Sequence, residues 1–246
     1  MSRARTATAR PPSIPAADAL LASIVESLRE VIPDVVTGSF VLDDEVLALT
    51  PADSRPVIAP YRGRSVVVYA VPITDEGLWV WHRHGTFRSL LANYVLLRAQ
   101  EHVSRNLPDG VELVDLPALT SQRWSMTEAG VRAGLGTRGW NNLLLHPEYG
   151  SWLQIHAFAV NRRFTPSIAL DEAVCIECGR CVESCPVKAV EPDAFHPARC
   201  SSVVASPWLA KSRAVALTST SYIECRECID ACPIGSRPEG LFAWKR

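Results

Sequence analysis

No cysteine occurs in the first 174 residues, no apolar run approaches the length of a bilayer, and neither sign of charge prevails. Each lack excludes something. A helical membrane span needs about 20 consecutive apolar residues, so none is expected. A net charge of -1 from 25 basic and 26 acidic side chains leaves no long basic track for a nucleic-acid backbone. A local arginine patch can still hold a transfer RNA, which is possible here but not favoured. The amino terminus has neither the apolar segment of a secretory signal nor a twin-arginine pair, so the expected location is cytoplasmic. Residues 1–16 are polar and broken by proline and read as a disordered tail. The composition, 48% hydrophobic and 21% charged, is that of an ordinary globular chain with one or two domains.

What is present concentrates at the other end. All eight cysteines lie in the last 72 residues. The first run is Cys175-x2-Cys178-x2-Cys181-x3-Cys185-Pro186; Cys200 stands alone; the second run is Cys225-x2-Cys228-x3-Cys232-Pro233. Zinc sites usually take two spaced pairs, and disulfide frameworks suit small secreted domains, so both readings fit this spacing less well than two 4Fe-4S clusters do. In two-cluster ferredoxins the last cysteine of a run ligates the other cluster. Cys175, Cys178, Cys181 and Cys232 would then hold one cluster, and Cys225, Cys228, Cys185 and Cys200 the second. No thiol is left over.

Periodicity predicts a helix over residues 18–31, capped by Asp18, a hairpin over 40–50 and a central buried strand over 65–71. A long helix is predicted over 86–105, a strand over 111–116, a helix over 125–133, and strands over 142–145 and 152–160. Helices mixed with strands in this order indicate α/β or α+β layering. The composition changes near residue 164, which divides an α/β domain, 17–163, from a cysteine-bearing module, 164–246. The two cysteine runs form an approximate internal repeat.

A pair of redox centres implies a site that consumes electrons, and the first domain is where it should lie. Gly134, Gly136 and Gly139 allow close backbone approach, to a planar ligand or phosphate or simply at a helix cap and turn. A reduction needs a proton source; the candidates are Asp115, Glu128, Tyr94 and Tyr149. His82 and His84 share a strand face and suit either a metal or a solvated turn, while Arg83 or Arg88 suits a phosphate. Trp79, Trp81 and Trp124 suit either the core or a flat pocket. His146 and His156 read as structural.

The segment Ala133-Gly-Leu-Gly-x-x-Gly-x-Asn141, followed by Leu144, Leu145, His146-Pro147-Glu148-Tyr149-Gly150-Ser151-Trp152 and the cysteine runs, resembles epoxyqueuosine reductases and, more distantly, reductive dehalogenases. The likeness is clearest over residues 133–233. It implies an α+β fold in which a flavin-reductase-like α/β domain binds a corrinoid and a double-cubane ferredoxin-like module supplies single electrons. It also implies a cobalamin-dependent oxidoreductase acting on a small molecule or modified nucleoside, with a ferredoxin or flavodoxin as electron donor. Gly134, Gly136, Gly139, Asn141, Tyr149, Gly150, Ser151, Trp152 and Arg83 would contact the cofactor. The chain departs from the pattern at three places. The family's proton-donating Asp falls at Thr120, Trp140 replaces the usual Lys, and the sequence ends at Arg246 without a helical-repeat extension. Another substrate, another proton donor, or no catalysis would each explain the first departure. A non-catalytic electron-transfer protein and an activator of a separate corrinoid protein are the competing functions.

Overall fold

The structure is a computed structural model that describes residues 17–50, 52, 55–84, 87–116, 125–200, 202 and 215–236. Helix α1 (Ala17–Arg29) buries Leu20, Ile24 and Leu28 along one face, the spacing of successive helical turns. Asp18 does not cap it. The Asp18 carboxylate instead accepts the amide and hydroxyl of Thr165, both at 3.2 Å. Strand β1 (Val36–Val41) follows, then α2 (Asp44–Leu49) in place of the expected hairpin. Asp43 decides this: its side chain accepts the Val46 amide at 2.9 Å as an N-cap, and Asp44 and Glu45 complement the helix dipole.

A short turn of helix, α3 (Arg55–Ile58), leads to β2 (Ser65–Pro72), every residue of which is buried. Strands β3 (Trp81–His84) and β4 (Phe87–Leu90) form a hairpin, and α4 (Leu91–Asn106) starts only after it. The predicted long helix thus begins too early, because pairing with β3 holds residues 87–90 extended. After β5 (Leu113–Asp115) come α5 (Met126–Arg132), the two-residue strands β6 (Thr137–Arg138) and β7 (Leu144–Leu145), and β8 (Leu153–Val160). The cysteine-bearing half contains α6 (Arg180–Ser184), β9 (Val190–Glu191), β10 (Ala194–Phe195), β11 (Val215–Ala216), β12 (Ser221–Ile223) and α7 (Glu227–Asp230).

The main sheet has the order β1-β2-β8-β5 and is antiparallel throughout, with Tyr69 opposite His156 and Val68 opposite Ala157. Alternation then divides the side chains of β2 and β8 between two cores. Val67, Tyr69, Val71, Phe158 and Val160 meet α1 and α4 on one face. Val66, Val68, Ala70, Ala157 and Ala159 meet Phe40, Leu42, Val46 and the residues of α5 and β7 on the other. Covering both faces explains why β2 reads as an unbroken apolar run, since each buried Val is stabilising by roughly 1.5–3 kcal/mol. A second sheet, β11-β12-β3-β4, joins the two halves: Ser221 pairs with His82 and Tyr222 with Trp81. Among the described residues no helix is long and apolar enough to cross a membrane.

Candidate iron-sulfur site

Helix α6 is entered through Gly179, whose φ of 74° turns the chain sharply between Cys178 and Cys181. The turn folds the first run around a hollow. Cys175, Cys178, Cys181 and Cys232 line it, together with Trp140, Asn141 and Leu145. The fourth cysteine of this ring comes from the second run. Burial pushes the Cys181 thiol up, and the neighbouring Cys175 and Cys232 thiols push it further. Cys178 is exposed.

The remaining four thiols also neighbour one another. Burial pushes Cys228 up to about 12, with Cys225, Cys200, Cys185 and Cys181 adding to it. Burial also raises Cys225, and Cys200 and Cys185 contribute. For Cys185 burial is outweighed by backbone amides, first that of Ala189, which donates to Sγ at 3.2 Å and helps hold the thiol below its usual range. Hydrogen bonds of this kind to sulfur are a known lever on cluster potential. Cys181 lies beside Cys228, and Ser184 Oγ donates to the Glu227 carbonyl at 3.2 Å, so α6 and α7 bring the two sets together. Val182, Val187, Ala189, Val190 and Phe195 pack around them as an apolar shell. Among the described residues no three His, Cys, Asp or Glu side chains converge on a point that would hold a single ion. The first four thiols line a hollow and the other four neighbour one another, an arrangement that suits four thiolate ligands around a multi-atom cluster. The residues fit such a group.

The glycine-rich stretch forms the seam between this module and the sheets. Ser125 caps α5 by accepting the Glu128 amide at 3.2 Å. The helix ends in a Schellman motif: Gly134, at φ 73°, donates to the Val131 carbonyl and Leu135 to that of Gly130. A Cβ on Gly134 would strike the Ile168 carbonyl, and one on Gly136 the Leu145 carbonyl. Gly139 donates its amide to Leu143 and Gly150 to His146, at 2.9 and 2.8 Å. The close approaches these glycines permit are filled by the chain itself. Asn141, 4% exposed, donates to Ser151 Oγ at 3.2 Å and accepts the Leu143 amide at 3.2 Å, which fixes the wall of the first hollow. Gly150 backs onto Ile234 and Gly235, just beyond Cys232-Pro233, and the Ser236 amide donates to the Glu148 carbonyl at 2.7 Å. Trp152 lies under Arg226, its ring centroid 5.4 Å from the guanidinium carbon.

The candidate proton sources are scattered. Tyr94 is 45% exposed on α4. Tyr149 stacks on His146 with centroids 5.1 Å apart, and His146 Nδ1 accepts the amides of Glu148 and Tyr149, so His146 shapes the turn. Glu128 pairs with Arg132 at 2.9 Å and Arg138 at 3.1 Å. Asp115 ends β5 at 3.8 Å from His156 Nδ1, which is 3.0 Å from the Tyr69 hydroxyl. Burial pulls the His156 imidazole down to about 4 and pushes the Tyr69 phenol well up, so both are neutral at pH 7.

Arg83 is exposed on β3, where its amide donates to the Thr220 carbonyl at 2.7 Å. His82 is half-buried on the same strand. Trp79 meets Trp152 edge-on and Trp81 stacks on Tyr222, so both belong to packed layers. Thr120, Trp124 and the side chains of His84 and Arg88 lie outside the described residues. Sequence reasoning missed the Glu76–Arg226–Asp230 triad, of which Glu76 is buried and the other two are half-buried; the available signal was a cation set between two cysteines of one run.

Residues 174–236 match the 4Fe-4S dicluster domain family, which supports iron-sulfur clusters in this stretch of the chain. The chain as a whole resembles epoxyqueuosine reductases. It is 40% identical over 152 residues to the epoxyqueuosine reductase of Lactococcus garvieae, covering 61% of this chain and 38% of that protein. A solved epoxyqueuosine reductase, labelled with selenomethionine, superimposes with a TM-score of 0.65 at 17% identity, covering 89% of this chain and 66% of that one. A second, solved with an epoxyqueuosine-modified stem loop of tyrosine transfer RNA, gives 0.61 at 17% identity over the same shares. The fold is therefore that of an epoxyqueuosine reductase, while the chain spans only 23% to 38% of the length of the first curated relatives it matches.

Proposed function

We propose that this chain is an iron-sulfur reductase whose two 4Fe-4S clusters, in residues 164–246, feed single electrons into the flavin-reductase-like domain of residues 17–163. The observation that carries the reading is the crossed thiol arrangement: Cys232 joins the first run around one hollow, and Cys185 and Cys200 neighbour Cys225 and Cys228. The seam of residues 139–152 then sets the sheets directly against both cysteine loops. Exposed Cys178 supports electron entry at the first cluster from a ferredoxin or flavodoxin. A cytoplasmic setting, where thiols stay reduced, belongs to the same reading.

A corrinoid as electron acceptor is what the resemblance of residues 133–233 implies, and the modified transfer RNA stem loop bound to a solved epoxyqueuosine reductase supports a modified nucleoside as substrate. A bound corrinoid would supply low-valent cobalt as a one-electron carrier and nucleophile. The glycine stretch offers no cradle for it, since residues 145, 168 and 234 fill those approaches. We therefore assign no step to the backbone there. Asp115 is the proton carrier in this reading. It closes β5 at 3.8 Å from His156, whose neutral imidazole is engaged with the Tyr69 hydroxyl. Glu128, tied to two arginines, anchors α5 instead.

The filled glycine approaches favour one second reading, an electron relay with no corrinoid of its own. Ultraviolet-visible spectra of anaerobically reconstituted protein, with and without added cobalamin, separate the two. A shift of the corrinoid bands on mixing is expected for the reductase; unshifted bands with intact clusters would leave the relay.

A further inference from the structure

Arg226 stands between two cysteines of the second thiol set, Cys225 and Cys228, yet its side chain is only 13% exposed. Its guanidinium meets Glu76 at 2.6 Å and Asp230 at 3.2 Å, and lies over the ring of Trp152. Glu76 is more deeply buried still, at 8%, and comes from the turn Glu76–Trp79 in the other half of the chain. Stability alone is a poor reason for this arrangement, because a buried ion pair is often no better than well-packed apolar side chains. Charge beside an iron-sulfur cluster has another effect: net charge and burial are main determinants of its potential. Buried charges are also little screened by salt.

We propose that the Glu76–Arg226–Asp230 triad is a positioning element that fixes the second cluster's loop on the sheets and sets that cluster's reduction potential apart from the first. The inference rests on the two-cluster reading of the cysteines. Arg226 adjoins Cys225 and lies two residues from Cys228, both assigned to the second cluster, which is therefore the one its charge is expected to shift. Removing a carboxylate favours the reduced, more negative cluster; removing the cation disfavours it.

The test is a redox titration, followed by electron paramagnetic resonance, of the full-length holoprotein and of Glu76→Gln, Arg226→Gln and Arg226→Lys. Glu76→Gln is expected to raise the second cluster's potential and Arg226→Gln to lower it. Each should change its reduced-to-oxidised ratio at a poised potential severalfold, where tenfold is ~59 mV for one electron. Arg226→Lys should stay near the wild type, and the first cluster should not move. Opposite signs are what loss of packing cannot produce. Shifts in one direction, equal shifts at both clusters, or no shift would overturn the proposal. Should Arg226→Gln fail to hold its iron, Glu76→Gln decides alone, and a potential that stays or falls overturns it. A wild-type protein without two cluster signals would instead remove the reading beneath it.

Discussion

Gly150 and Gly235 meet back to back, so closely that a Cβ on Gly235 would fall inside the van der Waals envelope of the Gly150 amide nitrogen. Both hold positive φ, 57° and 83°. Gly235→Ala should therefore part the cysteine loop from the seam, beyond the roughly 1–2 kcal/mol that left-handed backbone costs an L-residue. Gly63→Ala is the control, since Gly63 has φ 74° but nothing near its missing Cβ. Thermal unfolding and iron content of the two variants check this: Gly235→Ala should lose iron, and Gly63→Ala should show only the modest strain.

Cys232 lies in the second run but lines the hollow of the first. Cys232→Ala should damage the cluster of Cys175, Cys178 and Cys181 more than that of Cys225 and Cys228. Electron paramagnetic resonance of the anaerobic variant reads this directly. A full signal from the Cys175 cluster with loss of the other would contradict the crossed assignment.

Asn141 is buried between Ser151 and the Leu143 amide. Asn141→Ala leaves both partners short, at a cost of about 1–3 kcal/mol, and loosens the wall facing the first cluster. Iron release after exposure to air should be faster in the variant, with the first cluster going before the second. Unchanged release would contradict the role given to this wall.

Legibility in the sequence followed how local each determinant is. The apolar, β-branched run of residues 65–71 identified the central strand because both its faces are covered. The predicted hairpin over 40–50 failed on one side chain, Asp43, whose cap starts a helix. Leu90 falls on the apolar stripe of the helix predicted over 86–105, and only pairing with β3, settled by tertiary contact, makes residues 87–90 a strand. The thiol sets were readable because ligand spacing is fixed by short loops. The glycines signalled close approach, but not that the approaching group is the chain's own backbone. Glu76 and Arg226 are 150 residues apart, and no local pattern joins them.

Burial holds His156 neutral, with its imidazole pulled down to about 4. In the unfolded chain the same group titrates near ~6.5. Between these values the unfolded state binds more protons, so stability falls as pH drops through that window and is full above it. The loss reaches about 3 kcal/mol once both values are passed. The unfolding midpoint of the wild type should therefore fall more steeply from pH 7 to pH 5 than that of His156→Gln. Equal slopes would contradict a buried neutral imidazole.

Two cubane clusters held by crossed sets of thiolates are the centre of the account, and iron and sulfide analysis with Mössbauer spectroscopy of anaerobically purified protein tests them most directly. The expected result is ~8 irons and ~8 sulfides per chain, all in 4Fe-4S form. Zinc in the hollow, or cysteines joined as disulfides with no iron, would contradict it.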